Sequence, residues 1–248
     1  MIKTRKLNSL TGYNYESNET GKGNKLVENR FVLWNRARRN FFSPKTSQRV
    51  KSAVRKDYRH PFSFNFNHGL VTLIVALLFY QFSGVKQSIT LLGDKGIKSL
   101  LFPAVLFVCY GIYGMGNDYE VNRHLWALLF CAFALVYNIM EEYAWRGYLI
   151  DSLGKLNVVF KSILSGVFWS VWHLLVFNNF DQYGGFWIFF AFCIVFSFLL
   201  TLAVFRTKSI LVAATIHAFI IQINLAALMC VILFVLLLLT WNKQWVRK

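Results

Sequence analysis

Two adjacent carboxylates inside an otherwise uncharged apolar stretch are the first residues that could do chemistry. They are Glu141 and Glu142 in the segment Asn138-Ile-Met-Glu-Glu-Tyr-Ala-Trp-Arg146-Gly147, and they follow 17 residues, 124–140, without a charge. Neighbours on a helix point about 100° apart, so the two carboxylates take separate roles. Glu142 and Arg146 are spaced i,i+4 and can pair, which leaves Glu141 free for another partner. Two more ionisable residues sit inside apolar runs: His173 in SGVFWSVWHLLVF and His217 in LVAATIHAFII. A charge at membrane depth costs about 2.5–3.5 kcal/mol on insertion scales, so such residues point to function. A carboxylate can act as general base on water, and a second polar group can hold that water or the oxyanion. Two histidines and one glutamate (Glu142, His173 and His217) could instead ligate Zn²⁺ or another divalent metal. The plainer alternatives are glutamates at headgroup level where a helix ends, and histidines bonded to neighbouring carbonyls.

Position decides among these, and position is set by the elements. Apolar runs cover 69–84, 99–116, 124–145, 157–177, 184–205 and 209–241. A bilayer core needs roughly 20 apolar residues per helix. Four runs fit one span each, 69–84 is short, and 209–241 is long. The last is read as two short helices with a turn near Gln222–Leu225. The fold expected is therefore all-α, a polytopic transmembrane bundle of about 6–7 spans. With a rise of about 1.5 Å per residue, His217 lies about 12 Å in from Ser209 and His173 about 18 Å in from Lys161. If the glutamate-bearing helix continues to Leu153, Glu142 lies about 17 Å in, and all three meet near mid-membrane. If it stops at Trp145 they cannot meet.

The whole chain is both apolar and basic. It has 248 residues, 56% hydrophobic and 15% charged, with a net charge of +16 and a mean hydropathy of +0.44. About a quarter charged residues is usual for a soluble domain, so an ordinary soluble globule is excluded. Aromatic content of 18% excludes a disordered basic chain. Residues 1–60 carry +11 of the net charge. This separates a basic N-terminal arm, 1–62, from a transmembrane helical domain, 63–248. The arm is expected to be partly disordered or interfacial. Within it FVLWNRARRNFF, residues 31–42, could lie as a short helix on anionic lipid headgroups. No nucleic-acid motif accompanies it, so nucleic acid is not an expected partner. The positive-inside rule puts Arg146–Lys161, Arg206–Lys208, Lys243–Lys248 and Lys86–Lys98 on one face. A full crossing by 69–84 would then put the basic arm on the other face, so that run either fails to cross fully or breaks the rule. Cys109, Cys131, Cys193 and Cys230 are isolated in apolar runs and read as packed thiols. His60, His68 and His124 lie at segment edges and take no role.

Glu141-Glu142-Tyr-Ala-Trp-Arg146 resembles the EExxxR motif of the CPBP family, the CAAX-protease and bacteriocin-processing (Abi) membrane proteins. Trp169-Ser-Val-Trp-His173 resembles the family's FxxxH, with Trp at the aromatic position. His217-Ala-Phe-Ile-Ile221 resembles HxxxN, with Ile221 where the family has a polar residue. The three motifs occur in order within residues 138–225. The resemblance implies an intramembrane endopeptidase, in which Glu141 activates water and Glu142 and Arg146 brace the site. His173 would help hold the water and His217 would help stabilise the oxyanion. It also implies a peptide or membrane-anchored protein substrate and a multi-pass protein, expected in a bacterial cell membrane. Both a metal and a metal-free glutamate mechanism are compatible with it. A member lacking the residue-221 donor could be a non-catalytic relative acting in bacteriocin self-immunity or as a scaffold. A missing oxyanion donor typically costs a factor of about 10²–10³ in kcat.

Overall fold

A computed structural model of the chain describes residues 66–117 and 119–242. The basic arm and its expected interfacial helix lie outside these residues. Among the described residues the chain forms seven helices and no named strand. They are α1 (Asn67–Ser83), α2 (Gly96–Tyr113), α3 (Arg123–Ser152), α4 (Val158–Trp172), α5 (Phe186–Thr207), α6 (Ile210–Ala218) and α7 (Leu225–Leu239). Three of them, α2, α3 and α5, are long and apolar enough to cross a membrane, and α1, α4 and α7 are shorter apolar helices. The chain is a multi-pass helical membrane bundle.

Side-chain caps fix where the helices begin. Asn122 accepts from the His124 and Leu125 amides, Asn157 from Phe160, Ser209 from Val212 and Asn224 from Ala227. Each satisfies a first-turn N–H that has no partner inside its own helix. The apolar run 209–241 breaks where Gln222 and Asn224 interrupt it. A 3₁₀ turn over Phe219–Ile221 leads to an extended Gln222, and α7 starts afresh after Asn224. The run 157–177 ends as helix earlier than its apolarity suggests, at Trp172. Residues 173–176 continue as tight turns, each amide bonding the carbonyl three residues back, so the α-helical pattern stops while the apolar run goes on.

All nine residues of α6 are buried. A helix apolar all round belongs in the interior, and α6 packs against α2, α3 and α5. Its entry is held by the 84–95 loop. Thr90 donates to the Lys208 carbonyl at 3.0 Å, and the Ile210 amide donates back to Thr90 at 2.9 Å. Gly93 (φ +67°) passes so close that a Cβ there would stand 2.1 Å from the Thr207 carbonyl oxygen. The same loop is tied to the end of α3, because Asp151 accepts from the Ser88 amide and hydroxyl at 2.8 and 2.5 Å and from Tyr80 at 2.9 Å. Lys95 and Lys98 both donate to the Trp241 carbonyl at 2.9 Å. The ends of α1, α3, α5 and α7 therefore gather at one end of the bundle with their basic residues, as the positive-inside rule requires.

Aromatic contacts and a glycine fix how α1 lies on α3. Phe66 meets the Phe133 ring, Gly69 lies on Tyr137, and Tyr80 meets Tyr148 and bonds Asp151. α1 thus runs parallel to α3 but beside only its later part. It starts roughly 15 Å along α3 from Arg123, at about 1.5 Å per residue.

Candidate active site

Helix α3 does not stop at Trp145. It runs to Ser152 through a π-helical stretch, Tyr143–Tyr148, that begins directly after Glu142. A π turn holds one more residue than an α turn and occurs often at functional sites. This continuation keeps Glu141 and Glu142 deep in the bundle, 1% and 0% exposed. The alternative of headgroup-level glutamates does not hold.

Glu142 is the centre of a buried polar chain. Its Oε1 accepts from Arg146 Nη1 at 2.9 Å and from His217 Nδ1 at 2.8 Å. Arg146 is itself fully buried and donates through Nη2 to Ser197 Oγ of α5 at 2.6 Å. Three helices, α3, α5 and α6, are thereby joined through one carboxylate and one guanidinium. A buried charge without such partners would be strongly unfavourable. The second carboxylate oxygen, Oε2, has no hydrogen-bond partner among the described residues.

Glu141 faces a different set, as the 100° rotation between neighbours requires. Its Oε1 accepts from the Tyr137 hydroxyl at 2.8 Å, and its Oε2 from Trp169 Nε1 of α4 at 3.4 Å. Trp169 is buried and meets Glu141, Arg146, His173 and His217, the last and Arg146 in turn holding Glu142. The Arg146 guanidinium carbon lies 5.0 Å from the Trp169 ring centre. The His217 ring meets it edge-on at 4.9 Å and the His173 ring at 5.4 Å. His173 bonds through Nδ1 to the Trp169 carbonyl at 2.7 Å. It stands beside the rings of Phe177 and Phe189 at 4.9 and 5.1 Å.

The five residues Glu141, Glu142, Arg146, His173 and His217 are thus gathered around one indole. Glu142, Arg146 and His217 are directly bonded, whereas Glu141 and His173 each reach the group through Trp169. Among the described residues no three His, Cys, Asp or Glu side chains are placed to hold a metal ion. The Nδ1 atoms of both histidines are engaged, one with Glu142 and one with a carbonyl, which leaves Nε2 of each for water, substrate or another ligand.

Three contributors were not assigned a site role from the sequence. Tyr137 could have been found by its i,i+4 spacing to Glu141. Ser197 carries no local signal. Trp169 was visible only as the aromatic of a motif, and its N–H donor role depends on the fold. Gln222, the nearest amide in sequence to the position of the missing donor, accepts from Asn224 at 3.2 Å through its side-chain oxygen. Of the other groups, Cys131, Cys193 and Cys230 are buried free thiols and Cys109 is half-buried. His124 bonds the Gly111 carbonyl at 2.7 Å.

Residues 122–223 match the family model described as Type II CAAX prenyl endopeptidase Rce1-like. The matched stretch begins at the α3 cap and ends in the turn after α6, so it contains all five residues. A curated relative, CAAX prenyl protease 2 of Methanococcus maripaludis, is 37% identical over 94 residues, or 34% of this chain. The match covers 35% of that relative's length. No solved structure matches the chain.

Proposed function

We propose, from the match of residues 122–223 to the Rce1-like CAAX endopeptidase family model, that the chain is an intramembrane endopeptidase using glutamate-activated water. The observation that carries this reading is the convergence of two buried carboxylates and two histidines on Trp169.

Glu141 is the general base. It takes a proton from water as the water oxygen attacks the peptide carbonyl carbon, and the same proton can then pass to the departing amine. The two histidines are set up differently by their partners. A carbonyl oxygen only accepts, so the Trp169 carbonyl fixes the proton of His173 on Nδ1. A neutral His173 therefore presents a lone pair on Nε2, which suits it to accept a hydrogen bond from the attacking water. His217 faces the Glu142 carboxylate through Nδ1, so that nitrogen also carries its proton. Donation from His217 Nε2 to an oxyanion then needs a second proton. The Glu142 Oε1 that bonds His217 Nδ1 is also the atom that accepts from Arg146 Nη1. Ion-paired Glu142 and Arg146 thus act through His217 on the developing negative charge. No step is assigned to a metal.

The substrate proposed is a peptide near a membrane-associated segment. The relative's name points to prenylated CAAX tails as the first probe. The test is cleavage of a fluorogenic prenylated CAAX peptide, and of a lipid-tethered peptide lacking the prenyl group, by purified protein in liposomes. Wild type should cleave at least one of them, and Glu141→Ala and His173→Ala should each abolish that cleavage. Unchanged cleavage in both variants would refute the reading.

A further inference from the structure

A general base buried to 1% exposure works only if its carboxylate is aimed, since an undirected buried carboxylate rotates or takes up a proton. Two donors reach Glu141 and neither belongs to the family motif's ionisable residues. The Tyr137 hydroxyl, one helical turn earlier, bonds Oε1 at 2.8 Å. Trp169 Nε1 bonds Oε2 at 3.4 Å. One oxygen is thus held from the same helix and the other from α4, so both rotation and tilt of the carboxylate are constrained. A phenylalanine at position 169 would supply the ring without the N–H.

Tyr137 in turn rests on a helix outside the family match. Gly69 of α1 is buried, and a Cβ on it would stand 3.2 Å from two carbons of the Tyr137 ring and 3.3 Å from the Tyr137 carbonyl. The ring therefore lies against bare backbone. Thr72 fixes that backbone by donating to the Gly69 carbonyl at 2.7 Å. The nearest alternative is a purely structural tyrosine that happens to end on a carboxylate. The two differ in what removing a single oxygen atom does.

We propose that Tyr137 and Trp169 are positioning residues for the Glu141 general base, and that Gly69 of α1 provides the surface on which Tyr137 is set. This rests on the assignment of Glu141 as base. It also gives α1 a part in catalysis, although α1 lies outside residues 122–223.

The test uses the full chain in liposomes with the cleaved probe peptide, and measures kcat, KM and the thermal unfolding midpoint for each variant. Tyr137→Phe keeps the ring on Gly69 and removes only the hydroxyl. It should lower kcat about ten- to a hundredfold, the range of one hydrogen bond to a charged group, with KM and the midpoint unchanged. Trp169→Phe should lower kcat less, because a 3.4 Å bond is long. Gly69→Ala should also lower kcat, and in a Tyr137→Phe background it should lower it no further, since both act through one bond. Full wild-type kcat in Tyr137→Phe, with Glu141→Ala inactive, overturns this inference and leaves the proposed function standing. A Tyr137→Phe loss that appears in KM and the midpoint rather than kcat also overturns it, as a structural tyrosine would give that pattern. Wild-type cleavage by Glu141→Ala overturns both readings.

Discussion

Arg146→Met is the perturbation whose size the structure sets most directly. The substitution keeps an unbranched chain but removes the guanidinium. Lost with it are the 2.9 Å bond to Glu142 and the 2.6 Å bond to Ser197. The guanidinium contact with the Trp169 ring at 5.0 Å goes too. Both side chains of the pair are 0% exposed, so water cannot replace what is removed. Breaking one partner of such a pair destabilises by about 3–5 kcal/mol. For a domain of this size each kcal/mol moves the unfolding midpoint by about 2–4 °C, so a fall of about 6–20 °C is expected. Arg146→Lys should fall between, since it restores the charge but cannot reach two partners as a planar fork. The double variant Glu142→Gln/Arg146→Met should be more stable than Arg146→Met alone, because the stranded carboxylate is gone. The assay is thermal unfolding of the purified protein in one detergent, followed by circular dichroism. An Arg146→Met midpoint within about 2 °C of wild type would refute the description of Glu142–Arg146 as a buried, mutually required pair.

Three further outcomes follow from other parts of the molecule. Gly166→Ala should loosen α4 from α5, since a Cβ there would come 2.6 Å from the Ile194 Cα, and backbone cannot yield. Unfolding should shift by about 1–3 kcal/mol, with Gly116→Ala, which meets nothing, as the control. Because no three donor side chains gather among the described residues, cleavage should survive a divalent-metal chelator unchanged, as measured by initial rates before and after dialysis. Deleting residues 1–60, which carry +11 of the charge, should weaken flotation with anionic liposomes while the remaining chain still inserts. Loss of insertion would assign the arm a different role.

Much of the bundle was legible because apolarity and charge are written locally. The long runs, the polar break at Gln222 and Asn224, and the basic loops at one end all follow from composition along the chain. That Glu142, His173 and His217 could lie near one another was legible because helical rise is a fixed length. It also required α3 to continue past Trp145, and it does. What was illegible is tertiary. The Glu142–His217 bond spans 75 positions, and the Ser197 hydroxyl is one of several on an apolar helix. The π turn at Tyr143–Tyr148 has no sequence signature that separates it from ordinary helix. The metal alternative was open in the sequence because residue types alone suit zinc. The direction of each Nδ1, one to Glu142 and the other to a carbonyl, is set by the fold and could not be read from the sequence. The register of α1 on α3 depends on its contacts with Tyr137 and Tyr148, which only packing can set.

The central claim is that Glu141 delivers water, rather than its own carboxylate, to the peptide carbonyl. The direct measurement is a single turnover in ¹⁸O-water with enzyme in excess over the tethered peptide, followed by mass spectrometry of both product and protein. Water attack predicts one ¹⁸O in the new carboxyl terminus of the product, none in Glu141, and no product at all from Glu141→Ala. Label in the Glu141 carboxylate with an unlabelled product, or labelled product from Glu141→Ala, would contradict the account.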